Sequence, residues 1–276
     1  MKKGILAKVS LALIFAYLFF PIVATILFSV ATRWSTTILP EGYTLAYYHQ
    51  LFTSPEFAHS LSRTIYASFA TIILSILLIV PSLCMAIVYY PRLEKLFEIL
   101  SILPFAMPGV ILAIGMIQMY SRGPLRITNI PWILIGSYFV LILPFMYQSI
   151  KNSFRSLNVK ALTEAAIMLG CGKFETFVKL IFPNVLRGVI TAALISVSVL
   201  FGEFVLANLL VGDNYETIQI YLYKLQKVDV HMANALVAAY FLVILLMSLL
   251  LIWLAYRNQT LRTQKPGKRQ KLEASS

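Results

Sequence analysis

The residues that could carry chemistry in this chain are few. No serine–histidine–aspartate or paired-carboxylate arrangement in a common compartment suggests an enzyme site, so no hydrolytic or acid–base centre is expected. His49, His59 and His231 lie between apolar runs with no ligand spacing, and no metal centre is expected. A glycine-lysine loop of the kind that cradles nucleotide phosphates is absent, which predicts that the chain does not hydrolyse ATP itself. Cys84 and Cys171 sit in segments of different character, the first apolar and the second basic, so neither a disulfide nor a metal cluster is expected. Glu203 is the one carboxylate inside a long apolar run, where ionisable groups cost energy and usually face a protein interior. Two readings of it stand: a contact with a translocated solute or a gate, or a carboxylate hydrogen-bonded to a neighbouring helix. Asn208, five residues on, borders the same stretch.

A second cluster of interest is the basic segment 151–187. Helix formers fill 161–169 around Glu164, Ala165 and Ala166, and Gly170 and Gly172 break that stretch as glycines do beyond a helix C-terminus. A second helical stretch, 173–180, sets Phe174, Phe177 and Val178 on one face at i, i+3, i+4 spacing. Lys173, Glu175 and Lys179 fall on the other face, and Pro183 is expected to reset the chain. The product is a short helix-turn-helix with an apolar side, a shape suited to docking in another protein's groove. Glu164 reads either as a docking residue or as a carboxylate that suits the early part of a helix.

The elements around these residues are membrane spans. The 276 residues are 59% hydrophobic and only 12% charged, with a mean hydropathy of +0.82. A soluble chain carries about 25% charged residues, so the bulk of this one belongs in lipid. Six apolar runs reach the roughly 20 residues a spanning helix needs: 9–31, 64–88, 99–119, 132–150, 189–211 and 235–256. Pro104 and Pro108 interrupt the third run and Pro144 the fourth, which predicts kinked helices there. The first run, with Pro21 in its middle and no small-residue cleavage site, reads as a retained span.

With the N-terminus inside, 17 of the 23 lysines and arginines lie on inner segments and six on outer ones. That bias predicts an N-in, C-in topology, and it accounts for the formal charge of +12 without nucleic acid. The expected fold is therefore all-α, a polytopic membrane protein with six transmembrane helices and a cytoplasmic helix-turn-helix. Residues 1–63 form the first span and an outer segment, in which Tyr47, Tyr48, Leu51 and Phe52 mark an interfacial helix. Residues 64–256 form a core of five spans, including 151–187. The outer loop 212–231 carries Ile218, Ile220, Leu222 and Leu225 and is expected to fold back, and the basic tail 257–276 reads as disordered.

Glu164-Ala165-Ala166, then Gly170, then Leu180-x-Phe182-Pro183 resembles the EAA loop of ABC importer permeases. That pattern is E-A-A, three residues, G, nine residues, then I-x-L-P; Leu180 and Phe182 depart from it but keep apolar anchors. Leu103-Pro104 with Pro108-Gly109, Leu143-Pro144-Phe145 and Gly202-Glu203-Phe204 also resemble the family, most closely its polyamine, iron and phosphonate branch. The resemblance implies a type I importer fold in the bacterial inner membrane, two permease subunits paired as homo- or heterodimer, and two ATPase subunits below. Glu164, Ala165, Ala166, Gly170, Leu180, Phe182 and Pro183 would then form the ATPase-coupling segment. A periplasmic binding protein would deliver a small solute to a path that includes Glu203, Asn208, Pro104 and Pro108. No cofactor is implied. The rival reading is a secondary transporter driven by an ion gradient, which would work without an ATPase.

Overall fold

A computed structural model describes residues 2–32, 34, 40–121 and 131–263, with side chains left out of account at 2–7, 121, 251 and 254–263. The described chain is nearly all helical. Helix α1 (Lys2–Val30) leads to α2 (Ala46–Thr53), α3 (Pro55–Tyr89), α4 (Pro91–Ala106) and α5 (Gly109–Ser121). Then come α6 (Pro131–Ser156), α7 (Val159–Met168), α8 (Lys173–Thr176), a π-helical turn (Phe177–Ile181) and α9 (Phe182–Phe201). Helix α10 (Val205–Leu210), a 3-10 turn (Gly212–Tyr215), α11 (Ile218–Val228) and α12 (Val230–Thr263) complete the order. Helix α12 enters the basic tail, and residues 264–276 of that tail lie outside the described residues.

Among the described residues, five helical stretches are long and apolar enough to cross a membrane: Lys8–Val30, Pro55–Tyr89, Pro131–Ser156, Lys173–Phe201 and Val230–Leu250. The third expected span is not one kinked helix. It is two helices, Pro91–Ala106 and Gly109–Tyr120, bent by 105° at their junction. The cause is local: Met107 precedes Pro108 and is driven to extended backbone (φ −110°, ψ 119°), as the proline ring demands. The fifth span is shifted from its predicted place. It is helical from Lys173 and ends at Phe201, because Gly202 and Glu203 interrupt it before α10.

Packing divides the chain into two compact units, Met1–Ser62 with Thr217–Val243, and Arg63–Glu216 with Ile244–Ser276. In the first, Leu51 of the predicted interfacial helix is buried with Phe57, Ile218, Tyr221, Leu236 and Ala239. Segment 218–228 thus does fold back, and it does so as a helix. A short antiparallel bridge between Ala31 and Tyr43 ties down the end of α1, and Ser29 and Tyr48 share a hydrogen bond of 2.6 Å. His231 lies between the rings of Phe28 and Tyr47, with Nδ1 3.1 Å from the Phe28 carbonyl, so it serves packing there.

In the second unit the spine is the α6–α9 pair. The helices approach so closely at Gly188 that a Cβ there would lie 2.8 Å from the Ser149 carbonyl and collide with Ser153 Oγ. Glycine at that contact is therefore a packing requirement. Helix α4 packs on α6, and α5 packs on α10.

Candidate functional site: an exposed helical corner between α6 and α9

Helix α6 carries the chain past Lys151 to Ser156, so the first residues of segment 151–187 belong to the span and not to a loop. Asn158, in the left-handed region at φ 43°, turns the chain into α7 after only two linking residues. Thr163 Oγ1 back-bonds to the Val159 carbonyl at 2.7 Å and faces inward, while Glu164 and Ala165 face solvent. Ala166 is buried.

The end of α7 follows from its glycine. Gly170 has φ +84°, a conformation that side chains with a Cβ rarely adopt. The Gly170 N–H donates to the Ile167 carbonyl at 2.9 Å and the Cys171 N–H to the Ala166 carbonyl at 3.0 Å. Those two bonds are the paired closure of a Schellman motif. The closed turn leaves Met168 90%, Leu169 85% and Phe174 80% exposed, an unusual display for side chains of that size. Glu175 and Lys179 pair at 2.6 Å on the polar face, and the Lys173 ammonium lies 5.0 Å from the centre of the Tyr89 ring.

The second arm differs from the sequence expectation. Pro183 does not reset the chain; helix continues from Lys173 to Phe201 through a π-helical turn. The wider turn lets the Phe182 N–H reach the Phe177 carbonyl, five residues back, just before a residue that has no N–H to give. Asn184 Nδ2 donates to the Leu180 carbonyl at 2.7 Å. Leu180, Phe182 and Pro183 are half-buried along this arm, so the motif's two ends sit on different parts of the corner, one displayed and one packed. Beside them an apolar groove of about 310 Å³ opens between α3 and the second arm, lined by Cys84, Met85, Val88, Phe177 and Ile181 among others.

At the other end of α9, Glu203 sits in the interruption of the fifth span. Its carboxylate accepts the Leu206 N–H at 3.0 and 3.1 Å and the Ala207 N–H at 3.4 Å, so it caps α10. A carboxylate at that place satisfies free donors and suits the helix dipole. Asn208 lies on the exposed side of α10, away from the buried Leu206, Ala207 and Leu210, and the Glu203 carboxylate does not bond to it. Gly109, just past Pro108, comes within 4.0 Å of Val205 Cγ1 when a Cβ is built on it. The interruptions of the third and fifth spans are thus neighbours, whereas Pro104 stands within α4.

The sequence reading missed a charged cluster on the α4–α6 contact. Lys151 Nζ lies 3.2 Å from Glu94 Oε1 and 3.0 Å from Glu98 Oε2, and the lysine side chain is only 2% exposed. Arg155 reaches Glu94 at 3.9 Å, and Tyr147 donates to the Glu94 carbonyl at 3.3 Å. The signal is present as matched spacing, 94/98 on one helix and 147/151/155 on the other, but in sequence Lys151 and Arg155 read only as topogenic charge.

Comparison with known proteins agrees with this architecture. The chain is similar to the putative 2-aminoethylphosphonate transport system permease protein PhnV of Salmonella typhimurium, 22% identical over 222 residues, 80% of this chain and 82% of that one. It is also similar to the spermidine/putrescine transport system permease protein PotC of Escherichia coli, 26% identical over 255 residues, 90% and 92% of the two chains. A crystal structure of a bacterial ABC transporter involved in import of the acidic polysaccharide alginate superimposes with a TM-score of 0.71 at 19% identity. That match covers 93% of this chain and 96% of that one. A second structure of such a transporter, in complex with alginate pentasaccharide-bound periplasmic protein, gives a TM-score of 0.67 at 18% identity. The profile of the family described as binding-protein-dependent transport system inner membrane component matches residues 78–261, and the chain belongs to that family.

Proposed function

We propose that this chain is the pore-forming subunit of an ATP-driven importer in the bacterial inner membrane, and that the α7–α8 corner is where an ATPase subunit grips it. The observation that carries the reading is the corner itself: a Schellman-closed turn that holds Met168, Leu169 and Phe174 out in solvent. Large apolar side chains displayed on a rigid turn gain by burial in a partner's groove, roughly 1.5–3 kcal/mol for each one fully covered. Glu164 and Ala165 form the flank of the same surface, and Gly170 sets its angle.

The charge bias supports cytoplasmic N- and C-termini and puts the corner on the ATPase side. A second permease subunit, identical or paralogous, would complete the path. The neighbouring span interruptions at Pro108–Gly109 and Gly202–Glu203 would line it, since irregular backbone at membrane depth belongs against protein or a polar cavity. A periplasmic binding protein would deliver the solute. The relatives' names supply the first substrates to try: 2-aminoethylphosphonate, putrescine and spermidine.

The test is capture of the tagged chain from detergent-solubilised membranes, with the co-purifying ATPase subunit identified. The native chain should bring an ATPase, and Leu169→Glu should lose it while the chain stays inserted. Gly170→Val, strained by about 1–2 kcal/mol in the left-handed region, should weaken capture and uncouple uptake from hydrolysis. Recovery of the native chain without an ATPase, under conditions that keep a known importer whole, would move the reading to an ion-driven secondary transporter.

A further inference from the structure

The coupling corner hangs from two helices, but the interrupted third span lies on a third, α4. Three ion pairs join α4 to α6. Glu94 and Glu98 stand one turn apart on α4 and close on the single ammonium of Lys151. Tyr147, Lys151 and Arg155 stand one turn apart on α6, and each reaches Glu94. The Lys151 ammonium also lies 5.2 Å from the centre of the Tyr147 ring. The Lys151 side chain is 2% exposed while Glu94 and Glu98 keep 28% and 43% of theirs, so separation is costly on the lysine side, where a buried ammonium would be left unpaired.

Such a ladder does what apolar contact alone would not. Outside it, α4 shows mostly exposed apolar residues, among them Leu96, Ile99 and Leu103. Side chains of that kind tolerate sliding along a neighbour, whereas two carboxylates on one ammonium admit one register. Helix α6 ends at Ser156, little more than a turn beyond Lys151, and a two-residue link joins it to α7. Helix α4 ends at the 105° junction with α5. A displacement of the corner therefore reaches α6 directly, and the ladder is where α4 is obliged to follow.

We propose that Lys151, clasped by Glu94 and Glu98, is a positioning residue that carries motion of the coupling corner into the interrupted third span. The inference rests on the ATPase-coupling reading above. The path runs from α7 through the end of α6, across the ladder into α4, and so to the bend at Met107–Pro108. Lys151 touches neither nucleotide nor solute; it makes α4 and α6 move as one.

The experiment uses the chain assembled with its ATPase and second permease subunits in lipid nanodiscs, with Cys171→Ser. One spin-label pair, Leu96→Cys with Asn152→Cys, reports the α4–α6 register; another, Leu96→Cys with Ile111→Cys, reports the bend. In the native background the first distance should stay narrow and constant between the nucleotide-free and ATP–vanadate-trapped states, while the second changes. Lys151→Met should broaden the first and suppress the change in the second, with the ATPase still bound and hydrolysing. Lys151→Arg should restore the native pattern, which a loss of packing alone would not predict. Glu98→Gln, which leaves Glu94 on the lysine, should give an intermediate result and serves if Lys151→Met fails to assemble. Native distances and native trapping response in both Lys151→Met and Glu98→Gln would overturn the proposal, as would a bend in the unsubstituted chain that ignores trapping. Failure of the coupling reading is told apart by the ATPase subunit, which would then not co-purify at all.

Discussion

The third and fourth spans both carry prolines, yet one is broken and the other is a single helix. Helix α6 holds Pro144 in its interior, buried, and remains helical from Pro131 to Ser156. In the third span, Pro104 sits within the last turn of α4 and Pro108 follows the stop at Met107. A proline inside a helix removes one hydrogen bond and presses on the preceding turn. Whether the helix survives depends on what surrounds it. Over half of the α6 span is buried, with α9 crowding one side at Gly188 and α4 another. The α4–α5 junction has Phe105, Met107 and Pro108 exposed, with little to hold the ladder of hydrogen bonds together. Phe105 does meet Phe145 edge-on at 5.2 Å, but that contact lies before the break. The same residue type therefore kinks or breaks a span according to its packing, and a second proline followed by glycine tips the balance.

This contrast can be broken most forcefully at Gly188. Gly188→Leu should force α9 off α6 and cost about 3 kcal/mol or more, as over-packing against backbone does. Loss of monodisperse protein in size-exclusion chromatography would show it; a normal profile would mean that α6 does not depend on α9. Next in size, Pro108→Ala should favour continuous helix across 107–109 by up to about 3 kcal/mol, since the extended backbone at Met107 is no longer imposed. The Leu96–Ile111 label distance should then lengthen toward that of a straight span, and an unchanged distance would place the cause of the bend elsewhere.

Glu203→Ala removes the cap of α10 and should lower stability by about 0.5–2 kcal/mol, the usual worth of a capping side chain. Glu203→Gln keeps an acceptor and should recover most of it. If uptake falls in Glu203→Gln while thermal stability stays native, the carboxylate also meets the solute. The smallest effect is expected from Pro144→Ala. It should change the unfolding midpoint by less than about 1 kcal/mol equivalent, because α6 has already adapted to the missing donor. A large gain in stability there would show that the fourth span is strained after all.

Much of this was legible in the sequence for physical reasons. Apolar runs of spanning length declare themselves, because lipid imposes one polarity over a whole helix. Five of the six predicted runs contain or overlap an apolar helix long enough to span, and the sixth is the broken pair. The corner was legible too, since Gly170 is the residue a left-handed C-terminal turn requires and Asn, its usual substitute, is absent there. The short helix around Tyr47 and Leu51 and the fold-back at 218–228 followed from short amphipathic patterns. What misled was proline and glycine read one at a time: Pro183 was expected to end a helix that a π-helical turn carries through, and Gly202 was read as lying within a span that it terminates.

By itself, then, the sequence determined the membrane class, the apolar runs long enough to span, the charge bias and the corner motif, since each depends on composition or on spacing within one element. Tertiary structure alone decided which prolines break a helix, because neighbouring helices supply or withhold support for the lost hydrogen bond. It also decided what the charges do. Lys151 read as one more basic residue at the edge of a span, and only the approach of α4 to α6 turned it into a buried ammonium between Glu94 and Glu98. Glu203, an anomaly in an apolar run, became the cap of a helix that the run was not expected to start. Pairings between distant elements depend on distances that no local pattern encodes.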